Sequence, residues 1–209
     1  KAVVHTSGAH SIDVLRPLVD VGAMTGSLHP ALPFAQATIT RQQTSGATFA
    51  VEATHPQLRL WLQGLVSAVD GIALELPDGA KARYHAALVI ASNYTVTLYA
   101  AAQHLLMEIG ASADVAANTL NPLMQATIHN VMTHGIPNAL TGPLVRHDVG
   151  TVQTHLDALH GLTDDGQLAA VYRQLARLTY PLLTARGVET EALEMLFQQD
   201  EQRHALKHP

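Results

Sequence analysis

Four groups of side chains in this 209-residue chain have the types and spacing to do chemistry. On the longest stretch without a helix breaker, about Ala82 to Ile109, His85, Ser92 and Asn93 share one arc of a helical wheel with Val89 and Val96. Ala87, Leu98, Ala101 and Leu105 line the other side. A polar group buried without a partner costs about 1–3 kcal/mol, so this stripe is either a set of internally bonded core polars or the wall of a ligand cleft. A second group, Thr6-Ser7-Gly8-Ala9, links a strand-like run to a helix start. Unpaired N–H groups and the helix dipole there attract anions or carbonyl oxygens, although an ordinary turn with serine caps has the same sequence. Third, His29 closes a strand-like run just before Pro30, which disfavours an α conformation at His29. The carboxyl end of a parallel strand is where open α/β sheets bind ligands. Fourth, the loop Thr141-Gly142-Pro143-Leu144-Val145-Arg146-His147-Asp148 brings a hydroxyl and an arginine to a helix start. Arg146 there is either a clamp for a carboxylate or phosphate, or a surface partner of a helix-capping Asp148.

Other chemistries find no footing. A net charge of −5, with no run of like charges, gives no footprint for nucleic acid. Apolar stretches such as Ala86–Ala91 fall far short of the roughly 20 residues a membrane crossing needs. With no cysteine there is no thiolate zinc site or disulfide frame, and with no signal peptide visible the expected compartment is cytoplasmic. Of the 13 histidines only His204 and His208 pair at helical ligand spacing, so no metal site is expected. No G-x-S-x-G, H-E-x-x-H, P-loop or G-x-G-x-x-G motif occurs. The chain opens at Lys1 already inside a strand-like run and reads as a fragment or a processed chain.

The elements that must position these residues change character along the chain. β-rich runs at Ala2–His5, Ala23–Leu28, Thr48–Ala53 and Ile72–Leu76 alternate with helical spacing at Ser11–Val19 and Pro56–Val69, the pattern of crossovers in an α/β sheet. After the turn Pro77-Asp78-Gly79 the β signal ends, which places a domain boundary between 1–79 and 80–209. Helices are then expected at Ala82–Ile109, Val115–Val131, Asp148–Leu159, Leu168–Arg186 and Glu191–Leu206. Asn121-Pro122 divides or kinks the second, Gly187 closes the fourth and Thr190 caps the fifth.

Taken in order, His5-Thr6-Ser7-Gly8-Ala9, Gly26-Ser27-Leu28-His29-Pro30, Tyr84–Asn93 and Ala139-Leu140-Thr141-Gly142-Pro143 resemble a family of bacterial oxidoreductases. In that family a Rossmann-like NAD(P)-binding domain precedes a helical domain similar to the C-terminal domain of 6-phosphogluconate dehydrogenases. The resemblance implies α/β followed by all-α. Residues 1–79 would be the later part of a Rossmann-like domain whose Gly-rich first βαβ unit is absent from this chain, and 80–209 a helical dimerisation and substrate domain. It also implies NADP or NAD as cofactor and a small carbonyl, hydroxy or imine substrate; the sequence does not choose between NADH, NADPH and a deazaflavin as the electron carrier. Related β-hydroxyacid dehydrogenases and ketopantoate reductases place a lysine four residues before an asparagine on the equivalent helix. Asn93 matches the asparagine, but Val89 stands at the lysine position. The proton donor then falls to His85 or His29. Thr6, Ser7, Gly8 and His29 would face the nicotinamide end, His85, Ser92 and Asn93 the substrate, and Thr141 and Arg146 an acidic substrate group, from the same subunit or from the second subunit of a homodimer. Val89 and the missing fingerprint also leave open a non-catalytic dimeric ligand-binding or scaffold protein.

Overall fold

A computed structural model describes residues 1–34, 41–162 and 166–205. The first compact unit, Lys1–Tyr99, holds a four-stranded sheet in the order β1-β2-β3-β4. Strand β1 is Ala2–His5. A 3-10 turn at Ile12–Leu15 and the short helix α1, Arg16–Val19, carry the chain back to β2, Met24–Pro30, which pairs parallel to β1. After β2 come the one-turn helix α2, Arg41–Thr44, and β3, Thr48–Ala53, which runs antiparallel to β2 with Leu28 opposite Val51 and Ser27 opposite Glu52. Helix α3, Pro56–Ala68, then crosses to β4, Ile72–Glu75, parallel to β3. The two crossovers stand where the helical spacing placed them. The sheet as a whole is mixed: β2 extends through His29 and Pro30, Ala31 N–H donates to Thr48 O at 2.8 Å, and β3 returns alongside it in the opposite sense.

Period-two alternation divides β3 between two faces. Phe49, Val51 and Ala53 pack under Leu58, Leu62 and Val66 of α3 to make the core of this unit. Helix α3 begins at Pro56, with the His55 ring accepting from Gln57 N–H at 3.2 Å, and its three core leucine and valine positions recur at i, i+4, i+8. Gly26 lets that helix lie close, because a β-carbon there would stand 3.2 Å from both the Leu58 and Leu62 side chains. The opposite face carries Ser27, His29 and Glu52, and to it comes α4, Lys81–Leu88. Lys81 Nζ donates to Ser27 Oγ at 2.6 Å and pairs with Glu52 Oε2 at 3.0 Å, and the lysine is only 2% exposed.

The long helical stretch is continuous but not uniform. Between α4 and α5, Tyr94–Glu108, the residues Val89–Asn93 form a π-helix, closed by Tyr94 N–H on Val89 O. Helix α5 runs on into the second compact unit, Ala100–Pro209, so the units part later than the turn at Pro77–Gly79. That unit contains α6, Ala113–His134, α7, Val149–His160, α8, Gln167–Thr184, and α9, Glu191–Ala205. Helix α6 passes through Pro122 without dividing. Val152 and Leu156 of α7, Ala176 and Leu183 of α8, and Leu193, Leu196 and Phe197 of α9 form its core. Gly187, at φ 72°, turns the chain out of α8 as expected. No helix among the described residues is long and apolar enough to cross a membrane.

The buried Lys81–Glu52 pair yields a stability test. Glu52→Ala leaves an ammonium without its counter-charge and should destabilise the first unit by about 3–5 kcal/mol. The double replacement Glu52→Leu/Lys81→Met should recover most of that loss, as measured by urea unfolding.

Candidate functional site

On the face of the sheet opposite α3, a cleft of about 760 Å³ is lined by His29, Phe34, His85, Val89, Ser92 and Asn93, among others. Three features of the backbone build it. His29 and Ser27 alternate onto the same face of β2, Pro30 holding the strand extended to its end. Lys81, clamped between Ser27 and Glu52, fixes the start of α4 so that Tyr84 and His85, one turn on, reach the strand's carboxyl end. The π-helix then shifts the helical phase, so Leu88, Val89, Ala91, Ser92, Asn93 and Thr95 all border the same cleft. The Thr95 hydroxyl donates back to Ala91 O at 2.9 Å, occupying a carbonyl of the distorted turn.

The chemistry concentrates at His29. Its Nδ1 lies 3.0 Å from the Tyr84 hydroxyl, its ring meets the Tyr84 ring edge-on at 5.7 Å, and it meets the His85 ring at 6.4 Å. The Tyr84 hydroxyl also donates to His29 O at 3.4 Å, so it ties both the ring and the main chain of His29 to α4. Burial pushes the His29 pKa below the ordinary 6.5, and the nearby positive charge of Lys81 and the His85 ring push it the same way. Burial raises the Tyr84 phenol. His29 is therefore neutral at neutral pH and able to give or take a proton.

Gly8 completes this corner. A β-carbon on it would stand 2.6 Å from His29 Nε2 and 2.9 Å from His85 Cδ2, so only glycine lets the loop after β1 approach both rings. Of the residues singled out in the sequence, the structure brings together Gly8, His29, His85, Ser92 and Asn93. Ser92 and Asn93 are exposed cleft residues rather than core polars. Ser7 is used within its own turn, its Oγ meeting His10 Nδ1 at 2.9 Å and accepting from His10 N–H at 3.1 Å, and Thr6 is exposed on the same loop. Thr141 and Arg146 are exposed in the second unit. There Asp148 caps α7, accepting from Thr151 N–H at 3.0 Å and from its hydroxyl at 2.6 Å. Those hydrogen bonds hold the carboxyl below its usual value, with a smaller contribution from Arg146.

Sequence reasoning passed over Lys81, Glu52 and Tyr84. A signal for the first two was present: an acid inside the apolar run of β3 and a lysine at a helix start, where the dipole disfavours it, each require a partner. It also passed over a second constellation. His160, Asp200 and His204 gather their ligand atoms within 4.8 Å of one another in the second unit, where only histidine pairs along one helix had been considered.

The depressed His29 pKa has a consequence for stability. A group whose folded pKa lies below its unfolded value stabilises the protein above the unfolded pKa and loses that contribution as pH falls. Acidification below about pH 6.5 should therefore weaken the first unit. His29→Gln should make the loss shallower, as followed by denaturant midpoints between about pH 5 and 8.

Comparison with known proteins agrees with this architecture. A candidate NADP oxidoreductase, BF3122 from Bacteroides fragilis, superimposes with a TM-score of 0.67 at 23% identity, over 84% of this chain and 63% of its own. Protein TM1727 from Thermotoga maritima superimposes with a TM-score of 0.75 at 20% identity, over 88% of this chain and 70% of its own. The chain thus shares the fold of these two structures, a partial Rossmann-like α/β part followed by helices, while spanning under two thirds of the Bacteroides protein. No curated protein matches it. The model of the domain of unknown function DUF2520 matches residues 47–179, from β3 through the central helix and into α8, and the chain belongs to that family.

Proposed function

We propose that this chain carries the nicotinamide-end and substrate part of an NAD(P)-dependent oxidoreductase site, acting on a small carbonyl, hydroxy or imine compound. The observation that supports it is the Tyr84–His29 hydrogen bond beside His85, facing a cleft whose other wall is the π-helical Ser92 and Asn93. The loop Thr6–Gly8, at the carboxyl end of β1, presents bare backbone to that corner and suits the nicotinamide and its ribose. No G-x-G-x-x-G turn lies within these 209 residues, so the residues present fit one end of NADP or NAD and not the pyrophosphate. The nicotinamide supplies or accepts the hydride when bound. The protein's part is orientation and a proton: His85, or His29 in its protonated state, protonates the developing alkoxide or amine, Tyr84 holds the His29 ring, and the Asn93 amide orients the reacting carbonyl. Thr141 and Arg146 would anchor an acidic substrate group.

Full-length protein assayed with NADPH and NADH against a panel of keto acids and cyclic imines tests this. His29→Ala and Asn93→Ala should each lower kcat on the order of 100-fold. His85→Gln should keep hydrogen bonding but flatten the pH profile. If all three turn over at the wild-type rate between about pH 6 and 9, the window in which an imidazole matters, the site assignment fails.

One observation favours a second reading, a ligand-binding protein without turnover: Val89, at the position where relatives' pattern calls for lysine, lines the cleft. Native mass spectrometry of full-length protein separates the two, since a retained dinucleotide supports the first and none supports the second.

We also infer that residues 80–209 act as a helical domain of the 6-phosphogluconate dehydrogenase C-terminal kind and pair into a homodimer. Helix α6 supports this, burying only Ala116 and Leu120 while Val115, Leu123, Ile128, Val131 and Met132 stay exposed. Sedimentation at tens of micromolar should give a dimer. Replacing Leu123 and Ile128 by aspartate should give a folded monomer.

A further inference from the structure

We propose that His160, Asp200 and His204 form a site for a first-row divalent cation of the zinc class, within the second unit and apart from the cleft described above. His160 is the last residue of α7, while Asp200 and His204 stand one turn apart on α9. Nε2 of His160 lies 3.1 Å from Asp200 Oδ1 and 3.0 Å from Oδ2, and Nδ1 of His204 lies 3.6 Å from Oδ1. A cation about 2.0–2.2 Å from each donor holds neighbouring donors about 3.0–3.6 Å apart in octahedral or tetrahedral geometry, which is the spacing of each imidazole nitrogen from the carboxylate, while all three donors lie within 4.8 Å of one another. Two imidazoles and one carboxylate suit zinc, cobalt or nickel rather than calcium or magnesium.

The surroundings favour added positive charge. Asp200 is 1% exposed; Arg173 binds its Oδ2, which His160 shares, and Oδ1 faces both rings. Arg173 also approaches Glu201 at 3.4 Å, and Arg177 spans Glu194 at 3.0 Å and Glu201 at 2.6 Å. Three carboxylates thus share two guanidiniums, which leaves one carboxylate charge unmatched by arginine. Arg173 acts as the outer partner that orients a metal-binding carboxylate. The His160 and His204 rings stack with centroids 3.4 Å apart and planes 8° from parallel, so an ion in the plane of both requires one ring to turn out of the stack, and His204 is the more exposed of the two. Their side chains are 11% and 20% exposed, which leaves an outer position for water. His204 Nδ1 also meets Asp200 O at 3.0 Å, a contact that coordination would replace. The ion would staple the end of α7 to the last turns of α9.

Cobalt(II) titrated into the full chain, followed by visible absorption, with zinc as competitor, tests the site. The expected result is one-to-one binding with a Kd on the order of 1 µM and a zinc-induced rise in Tm. His204→Gln, on the more exposed ring, and Asp200→Asn should each weaken binding at least about tenfold, with helical circular dichroism kept in His204→Gln. An absence of cobalt bands at stoichiometric metal, or binding and a Tm rise unchanged in folded His204→Gln, would overturn the proposal. The cluster would then be a hydrogen-bonded brace in which His160 Nε2–H donates to Asp200.

Discussion

The position of the central helix over the sheet rests on one buried ammonium. Lys81 Nζ, held by Ser27 and Glu52, ties the start of α4 to neighbouring residues on two paired strands. Taking two charges out of water is expensive, and a pair like this repays it only when geometry satisfies both partners. Its net contribution to stability is therefore small, and what it supplies is a fixed point of contact between helix and sheet. A helix held by apolar contacts alone could slide along the sheet, whereas one anchored at a buried charge has a single register. Tyr84 and His85 follow Lys81 by about one turn and inherit that register, and with it their distances to His29. The same ammonium also biases the titration of His29. One ion pair thus sets both the geometry and part of the electrostatics of the cleft.

Much of this was legible before any coordinates. The strands Ala2–His5 and Thr48–Ala53 and both crossover helices follow from hydrophobic period and breakers, because their burial pattern is local. His85, Ser92 and Asn93 were recognisable as one stripe. The π-turn was not, since no residue type demands it. A period of 3.6 predicts that Val96 continues the stripe, but the added residue per turn brings Ala91 and Thr95 to the cleft instead. The reversal of β3 relative to β2 was equally hidden, because alternation along a strand is the same for either direction.

The polar cluster of the second unit shows another limit. Histidine pairs were sought at helical spacing, and His160, forty residues before Asp200, cannot enter such a search. What was readable was Asp200 four residues before His204, a carboxylate and an imidazole on one helical face, next to buried Leu196 and Phe197. An acid among core residues signals a partner from another helix, as Glu52 did in β3. In both units the residues overlooked were charged groups in apolar company, whose meaning depends on what the fold brings to them.

Gly8 carries a mechanical implication. Wherever a side chain separates a loop from a ring, rotamer changes can absorb movement of the loop. Between the β1 loop and the two imidazoles there is no such side chain, because the main chain itself abuts His29 and His85. Displacement of that loop therefore passes to the rings without a compliant intermediate. Main-chain contact makes the loop and the pair of histidines a single moving part, so that whatever orders residues 6–9 also sets the angle at which the proton on His29 is offered.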